Sequence, residues 1–455
     1  MKWKSIFALL GFIGFFFILF FSGGKSTFWN AIALGGLMVF LWILEIIPIY
    51  LTALLPLVLA IPLGILKPVD LASAYGNSNV YLFLGGFILA LGLEKWRVHE
   101  QIAHGILTIV GDSKPRILLG FIFSTGLISM WISNTATALM MLPMAMAIIH
   151  ALPVAHQKSK FSLYLVLSIA YASSIGGMAT LVGTPTNTQM AAILEQNYGI
   201  TIGFFEWMKI ALPISLLMLL ITYVYFYFSL GKERLDVHDF KIVKKPWSTE
   251  QIRVILVFGG VVFLWIFKDL ISDLTPIKYD DENVAILGAV LLFIIPANKS
   301  KKPLLIWSDT EKLPWGILLL FGGGLALAKM LEVNGIVALL TDVLTSFNNE
   351  SIFVIIVAMV AITIFASELL SNLALVVICV PIVAAFAKSA GLDILQLCIP
   401  LTLAASCAFM LPMGTPPNAI VFSSGFVSMG QMARAGLVLN IIGIILISFF
   451  GVFFL

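Results

Sequence analysis

Two stretches of the chain place polar side chains in the middle of apolar sequence. MWISNTATALMMLPM (130–144) carries Ser133, Asn134 and Thr135, and LLSNLALVVICVPI (369–382) repeats the Ser-Asn pair and the closing proline. Inside a bilayer such polar breaks are tolerated mainly where they line a cavity or hold a ligand, because no water is there to satisfy them. Two matching breaks therefore indicate a binding site built from a repeat.

The chemistry of such a tip follows from the helix ends that meet there. A helix that begins at the tip points free N–H groups and a partial positive charge at it, which suits an anion. A helix that ends there offers free carbonyls, which together with Ser, Thr and Asn oxygens suit a small hard cation such as sodium. No Lys, Arg or His lies in 117–149 or 352–387. An anion would thus rest on dipoles, amides, hydroxyls and a co-bound cation, which favours coupling to that cation.

Two Gly-Thr-Pro sequences mark a second pair of breaks. They occur in VGTPTNTQMA (182–191) and MGTPPNAIVF (413–422), near the far ends of apolar stretches too long for one helix. Proline removes a helix hydrogen bond and disfavours helix in the residue before it. We expect both stretches to be broken spans whose freed backbone converges on the tips, at Gly183, Thr184, Gly414 and Thr415.

Composition places the chain in the membrane. It has 455 residues, of which 60% are hydrophobic and 11% charged, and its mean hydropathy is +1.07. These values are typical of polytopic membrane proteins. No basic run that could bind nucleic acid is present, so we expect no nucleic-acid partner. The three cysteines lie in apolar stretches without CxxC spacing, which is typical of small buried hydrophobes.

Apolar segments of about 20 residues predict eleven membrane spans in an all-α fold. The N-terminal segment is basic and then apolar, without a good cleavage site, and is predicted to be a retained span. The segments 115–150 and 352–388 fit re-entrant helical hairpins with the Ser-Asn pairs at their tips. The spans are predicted at 5–22, 30–47, 49–66, 79–94, 162–190, 208–230, 251–270, 283–297, 315–333, 393–424 and 433–455.

The repeat divides the chain into two halves. FLGGFILALGLEKW (83–96) corresponds to FGGGLALAKMLEVN (321–334), and the Ser-Asn and Gly-Thr-Pro sequences correspond likewise. Each half holds five spans and one hairpin, so the halves enter the membrane in opposite orientations, as in secondary transporters. The predicted parts are an N-terminal span (1–29), a first inverted repeat (30–230), a cytoplasmic linker (231–250) and a second inverted repeat (251–455).

The distribution of positive charge gives the orientation. With the N-terminus in the cytoplasm and the C-terminus outside, 19 of the 26 Lys and Arg residues fall on the cytoplasmic side. This is the asymmetry expected of an inside-positive topology. We therefore predict a multi-pass protein of the cell membrane, the inner membrane of a cell that has two.

Two further residue patterns bear on the class of protein. Glu368 is the single carboxylate in either hairpin segment, and both a structural role and a cation or proton role stay open for it. Gly111-Asp112 and Tyr279-Asp280 are weakly similar to the motif of aspartyl intramembrane proteases, but both aspartates lie in charged loops and the first glycine is missing. We expect no enzyme and no catalytic residue, with an intramembrane enzyme as the distant alternative.

The paired motifs resemble those of the divalent anion/sodium symporter family. SNTAT with GTPTN, and SNLAL with GTPPN, carry the resemblance, which covers essentially the whole chain. It implies a homodimer of eleven-span protomers that moves its substrate by an elevator-type shift of a transport domain. It also implies substrates such as succinate, malate, fumarate, citrate or sulfate, with sodium ions co-transported.

The resemblance also implies site residues. One sodium ion would be bound by Ser129, Ser133, Asn134 and Gly183, and a second by Ser367, Asn372, Gly414 and the carbonyl of Leu370. The anion would contact Asn134, Thr135, Asn372 and Pro416, beside the backbone of Thr184 and Thr415. Leu373 departs from the family pattern, which often has threonine there, and this puts the substrate in doubt.

Together these observations predict sodium-coupled symport of a divalent organic anion, with a C4-dicarboxylate as the expected substrate. The alternatives within the same fold are a sodium-independent anion exchanger and a sulfate or citrate transporter.

Overall fold

The computed structural model describes residues 2–111, 113–230, 246–276, 278–297, 302–336, 339 and 351–454. These residues form helices and connecting turns, with an isolated bridge between Pro296 and Pro303. The predicted all-α class is confirmed. The predicted linker, 231–250, lies outside the described residues as far as 245.

The helices follow one another along the chain with short connections. The first half contains α1 (Lys2–Phe21), α2 (Thr27–Leu44), α3 (Ile49–Thr52), α4 (Leu55–Leu59), α5 (Pro68–Tyr75), α6 (Ser78–Lys95), α7 (Val98–Val110), α8 (Lys114–Ser129), α9 (Asn134–Ala151), α10 (Lys160–Gly177), α11 (Pro185–Tyr198) and α12 (Phe204–Leu230). The second half contains α13 (Thr249–Ile266), α14 (Lys268–Leu274), α15 (Asp281–Ile294), α16 (Trp315–Val333), α17 (Ile352–Ser367), α18 (Asn372–Ala390), α19 (Ile394–Ala405), α20 (Pro416–Ser423) and α21 (Met429–Phe453). Two short 3₁₀ helices cover Val154–His156 and Trp307–Lys312.

Eight helical segments in the described part of the chain are long and apolar enough to cross a bilayer. A span needs about 20 predominantly apolar residues, and these segments have that length and composition. They are Thr27–Leu44, Pro68–Lys95, Asn134–Ala151, Phe204–Leu230, Thr249–Ile266, Trp315–Val333, Asn372–Ala390 and Met429–Phe453. The chain is an integral membrane protein.

The predicted span 49–66 is not a continuous helix. Two short helices, α3 and α4, are followed by turns. Prolines at 48, 56 and 62 explain the interruption, since each lacks the N–H that an α-helix needs and its ring clashes with the preceding turn. The structure also has α7, a 13-residue helix that contains Glu100 and two histidines and is not among the predicted spans.

Both predicted hairpins are present as helix pairs. The first hairpin is α8 with α9, joined at the first tip (Met130–Ser133), and the second is α17 with α18, joined at the second tip (Glu368–Ser371). Both Gly-Thr-Pro stretches are broken as well. The first break (Met178–Thr184) separates α10 from α11, and the second break (Ser406–Thr415) separates α19 from α20.

Each hairpin packs against the broken helices of both halves. The first hairpin lies on α10, and its α9 also contacts α20; the second lies on α19, and its α18 also contacts α11. Some of these approaches require glycine. A Cβ at Gly176 would lie 2.2 Å from the carbonyl oxygen of Gly126, and one at Gly436 would lie 2.2 Å from that of Phe409. The fold thereby brings the four polar breaks to one region.

Candidate functional site

The first tip gathers hydroxyl and amide oxygens. Ser129, fully buried at the end of α8, donates its hydroxyl to the Ser173 carbonyl at 2.7 Å and lies 2.9 Å from Asn134 Oδ1. Ser133 caps α9, because its Oγ accepts the Ala136 N–H at 3.3 Å. Capping fixes the helix start and directs the remaining free N–H groups at the tip.

The side chain of Asn134 fits against the end of α10. A Cβ at Gly177 would lie 2.3 Å from Asn134 Oδ1, so any larger residue would displace the amide. Gly183 is equally close-packed, since its Cβ would lie 2.5 Å from the Gly177 carbonyl oxygen. The structure thus brings together the first predicted sodium set, Ser129, Ser133, Asn134 and Gly183. Neutral oxygens of this kind suit a hard cation.

Two side chains that the sequence prediction did not assign hold the first break. Asn187 donates its amide to the carbonyls of Gly177 and Met178, both at 3.2 Å, and of Thr180 at 2.8 Å. Thr180 donates its hydroxyl to the Met130 carbonyl of the first tip at 2.5 Å and accepts the Gly183 N–H at 3.0 Å. These bonds replace the helical partners that the broken backbone lacks.

The second break has a matching asparagine. Asn418 donates its amide to the Ala408 carbonyl at 2.9 Å and to the Leu411 carbonyl at 3.0 Å. Asn187 and Asn418 occupy the same position, two residues after the proline of Gly-Thr-Pro. The asparagine repeated at the same spacing in both halves is the sequence feature that could have directed attention to this position, since an amide there can bond the freed carbonyls.

The second tip differs in its chemistry. Glu368 is buried, and it accepts the N–H groups of Phe409 and Met410 at 2.8 Å and of Leu411 at 2.9 Å, together with the Asn440 amide at 2.8 Å. Ser367 donates its hydroxyl to the Ile364 carbonyl at 2.8 Å. Asn372 Oδ1 is buried and has no hydrogen-bond partner. This oxygen is therefore available to a cation or to a donor group of a ligand.

The two breaks meet through a pair of buried hydroxyls. Thr186, in the first turn of α11, lies 3.2 Å from Ser406, the residue that follows α19, and both are at most 2% exposed. These residues are 220 positions apart in sequence. The sequence predicted that each stretch approaches a tip. Thr180 of the first break bonds Met130 of the first tip, and a Cβ at Gly414 of the second break would lie 3.1 Å from Glu368 Oε2 of the second tip.

The predicted anion contacts differ in exposure. Asn134, Thr135 and Asn372 are half-buried and Pro416 is exposed, whereas Leu373 is 8% exposed and belongs to the apolar core. The predicted backbone positions are also buried, at Thr184, Thr415 and Gly414. Leu370, expected to offer its carbonyl, is half-buried at the second tip.

A cavity of about 360 Å³ is lined by none of the tip residues and has the wrong charge for an anion. Glu195, Glu206, Asp269, Asp280, Asp281 and Glu282 line it together with Lys268. The Lys268 ammonium lies 3.4 Å from Asp281 and 3.6 Å from Asp280. Burial alone would lower the pKa of Lys268, but these two carboxylates raise it above its ordinary value. The lysine charge is thus already paired, and the remaining carboxylates repel an anion.

A family model described as the sodium:sulfate symporter transmembrane region matches residues 1–455. The chain belongs to this family. The resemblance to divalent anion/sodium symporters is confirmed. The family and the relatives are transporters, so the prediction that the protein is not an enzyme is confirmed as well.

Similar proteins occur in Staphylococcus aureus. The chain is 39% identical over 432 residues to the sodium-dependent dicarboxylate transporter SdcS of strain USA300, an alignment that covers 89% of this chain and 82% of the relative. The same values hold for SdcS of strain NCTC 8325 / PS 47.

A solved structure has a similar fold. It is the YdaH transporter of Alcanivorax borkumensis, with a TM-score of 0.56 and 15% identity, covering 83% of this chain and 87% of that one. At this identity the likeness concerns the fold alone.

Proposed function

We propose that this protein is a sodium-coupled symporter of C4-dicarboxylates such as succinate, malate or fumarate. The observation that carries the proposal is the 39% identity to a sodium-dependent dicarboxylate transporter over 89% of the chain. The meeting of the two polar breaks supports it, because it gives the anion and the cations one shared region.

One sodium ion would be held at each tip. At the first tip Ser129, Ser133, Asn134 and the Gly183 backbone supply oxygens, and the short distance between Ser129 and Asn134 supports a common ligand. At the second tip the ligands would be Ser367, the Leu370 carbonyl, Asn372 and the Gly414 backbone. The unpartnered oxygen of Asn372 supports this assignment.

The dicarboxylate would lie between the tips. The starts of α9 and α18 direct N–H groups toward it, and Asn134, Thr135 and Asn372 would add side-chain donors. Thr184, Thr415 and Pro416 border the same region from the breaks. Leu373, where a hydroxyl is missing, makes the two ends of the anion site unequal.

The proposed architecture has eleven spans in two inverted repeats, with the N-terminus cytoplasmic and the C-terminus outside. A homodimer would carry substrate across by elevator-type movement. The matched hairpins and breaks support the repeat, because the same backbone interruptions occur in the same order in both halves. Single cysteines at Lys158 and Lys388, in a background without native cysteines, should label from opposite sides of the membrane; labelling from one side would contradict the inversion.

The function is tested by uptake into proteoliposomes of labelled succinate, 2-oxoglutarate, citrate and sulfate, each with and without an inward sodium gradient. We expect saturable succinate uptake that requires the gradient. Uptake that needs only internal anion would indicate a sodium-independent exchanger. Uptake of sulfate but not succinate would indicate the substrate named in the family description.

A further inference from the structure

Glu368 has an unusual environment for a carboxylate within a membrane hairpin. It is 3% exposed, and four N–H donors surround it within 2.9 Å. Its Oε1 accepts three of these bonds, from Phe409, Met410 and Asn440, and its Oε2 accepts the fourth, from Leu411. A buried carboxylate is costly unless donors satisfy it, and all four partners here are donors, as the charged form requires.

These bonds join three separate elements of the second half. Glu368 belongs to the second tip, Phe409–Leu411 lies within the second break, and Asn440 is a fully buried residue of α21. Asn418 donates to two carbonyls of the same break, those of Ala408 and Leu411. Side chains therefore bond both N–H groups and carbonyls of this backbone, which limits its freedom.

One of the proposed cation ligands lies beside the carboxylate. A Cβ at Gly414 would lie 3.1 Å from Glu368 Oε2, so Gly414 packs close to this oxygen. Ser367 precedes Glu368 in the chain, and Leu370 follows two residues later. A negative charge at this position, shielded from water, favours a cation at the neighbouring oxygens.

The first tip has no equivalent of this arrangement. Met130 stands three residues before Ser133, where Glu368 stands three residues before Ser371. There the contact between tip and break is the neutral bond from the Thr180 hydroxyl to the Met130 carbonyl. Of the two contacts between a tip and a break, the one in the second half thus contains a carboxylate and the one in the first half does not.

We propose that Glu368 is the positioning residue of the second sodium site. It holds the backbone of the second break so that Gly414 faces Ser367, Leu370 and Asn372, and its charge offsets that of the bound ion. The inference rests on the proposed sodium-coupled function. Glu368 would therefore affect the affinity for the second sodium ion and not the affinity for the substrate.

The test is Glu368→Gln in proteoliposomes, with uptake measured against sodium at fixed succinate and against succinate at saturating sodium. Glutamine keeps the size but loses the charge and places an NH₂ group among donors. We expect the half-saturating sodium concentration to rise about tenfold to a hundredfold, as for lost hydrogen bonds to a charged group. The succinate KM at saturating sodium should change by less than about threefold, because the substrate contacts remain.

Two further variants keep the test decisive. Asn440→Ala removes one of the four donors and should raise the half-saturating sodium concentration by a smaller factor in the same direction; it decides the matter if Glu368→Gln does not fold. Glu332→Gln, which removes a carboxylate paired with Lys329 on α16, is the matched control and should leave both constants unchanged.

The outcomes separate this inference from the function on which it rests. An unchanged sodium dependence in folded Glu368→Gln, or a fall in maximal rate alone, would overturn the positioning role. Sodium-independent uptake by the unmodified protein would instead overturn the proposed function, and the positioning role with it.

Discussion

The two breaks of this transporter have the same backbone course but are held by different chemistry. In the first half, the neutral amide of Asn187 bonds the freed carbonyls, and the neutral hydroxyl of Thr180 joins the break to the tip. In the second half, Asn418 bonds two carbonyls, while the carboxylate of Glu368 accepts three N–H groups of the break itself. The comparison shows which part of the repeat is architectural and which part differs between the halves.

The asparagine is the architectural part. Asn187 and Asn418 lie at the same position after the proline, and each bonds carbonyls up to ten residues earlier. A membrane protein can keep a broken helix only if its backbone groups find partners inside the protein. The charged contact, by contrast, is found at the second tip and would make the two cation sites unequal.

The largest effect is expected from the first tip. Asn134→Ala removes both the amide oxygen that the first sodium ion would contact and the amide NH₂ group that the anion would contact, and it opens the space against Gly177. We expect sodium-dependent succinate uptake to fall by more than about a hundredfold, since contacts to charged groups are lost together. Uptake by the purified, monodisperse variant in proteoliposomes measures this.

Asn283→Ala is the control for that substitution, because Asn283 only caps α15. It should leave uptake near that of the unmodified protein. Retained uptake with an unchanged sodium dependence in Asn134→Ala would remove the first tip from the site.

A second pair of substitutions tests the architectural part. Asn187→Ala leaves three buried carbonyls without their donor and Asn418→Ala leaves two. Each unsatisfied buried group costs about 1–3 kcal/mol. We expect both to lower the thermal unfolding midpoint in detergent, Asn187→Ala by more, because Glu368 still holds the second break. Equal midpoints, or the reverse order, would contradict the different roles of the two halves.

The smallest effect is expected of Leu373→Thr. It would add the hydroxyl that the corresponding Thr135 already has, and a hydrogen bond to a charged group is worth about 1.5–3 kcal/mol, so the apparent succinate affinity should tighten by about ten- to a hundredfold. The converse change, Thr135→Leu, should abolish binding. If neither substitution changed the affinity, neither side chain would face the substrate.

The positions of the tips and breaks could be predicted from the sequence, but the side chains that form hydrogen bonds with their backbone could not. The Ser-Asn pairs and the Gly-Thr-Pro stretches mark helix ends by local chemistry, and the structure has its tips and breaks there. The bonds of Glu368 could not be predicted, because its donor Asn440 lies 72 residues away and only tertiary packing brings the two together. For the same reason Asn187 was visible as part of a motif, but its role as a donor to three carbonyls was not.

Errors at the level of helices had local causes. The stretch 49–66 is apolar enough for a span, yet its prolines divide it into α3, α4 and turns. Conversely α7 was not predicted as a span, because it has 13 residues and contains Glu100 and two histidines, so it does not meet a criterion of apolar length. Hydropathy predicts how much of a segment is apolar but not whether its backbone is continuous.

The most direct test of the account is equilibrium binding of labelled succinate to the purified protein as sodium replaces choline at constant ionic strength. Two sodium ions bound beside the anion predict that succinate affinity rises with sodium, with a Hill coefficient above one. By the same linkage succinate should tighten sodium binding. Succinate binding of equal affinity in sodium and in choline would contradict the claim that cations and dicarboxylate share the site formed by the two tips.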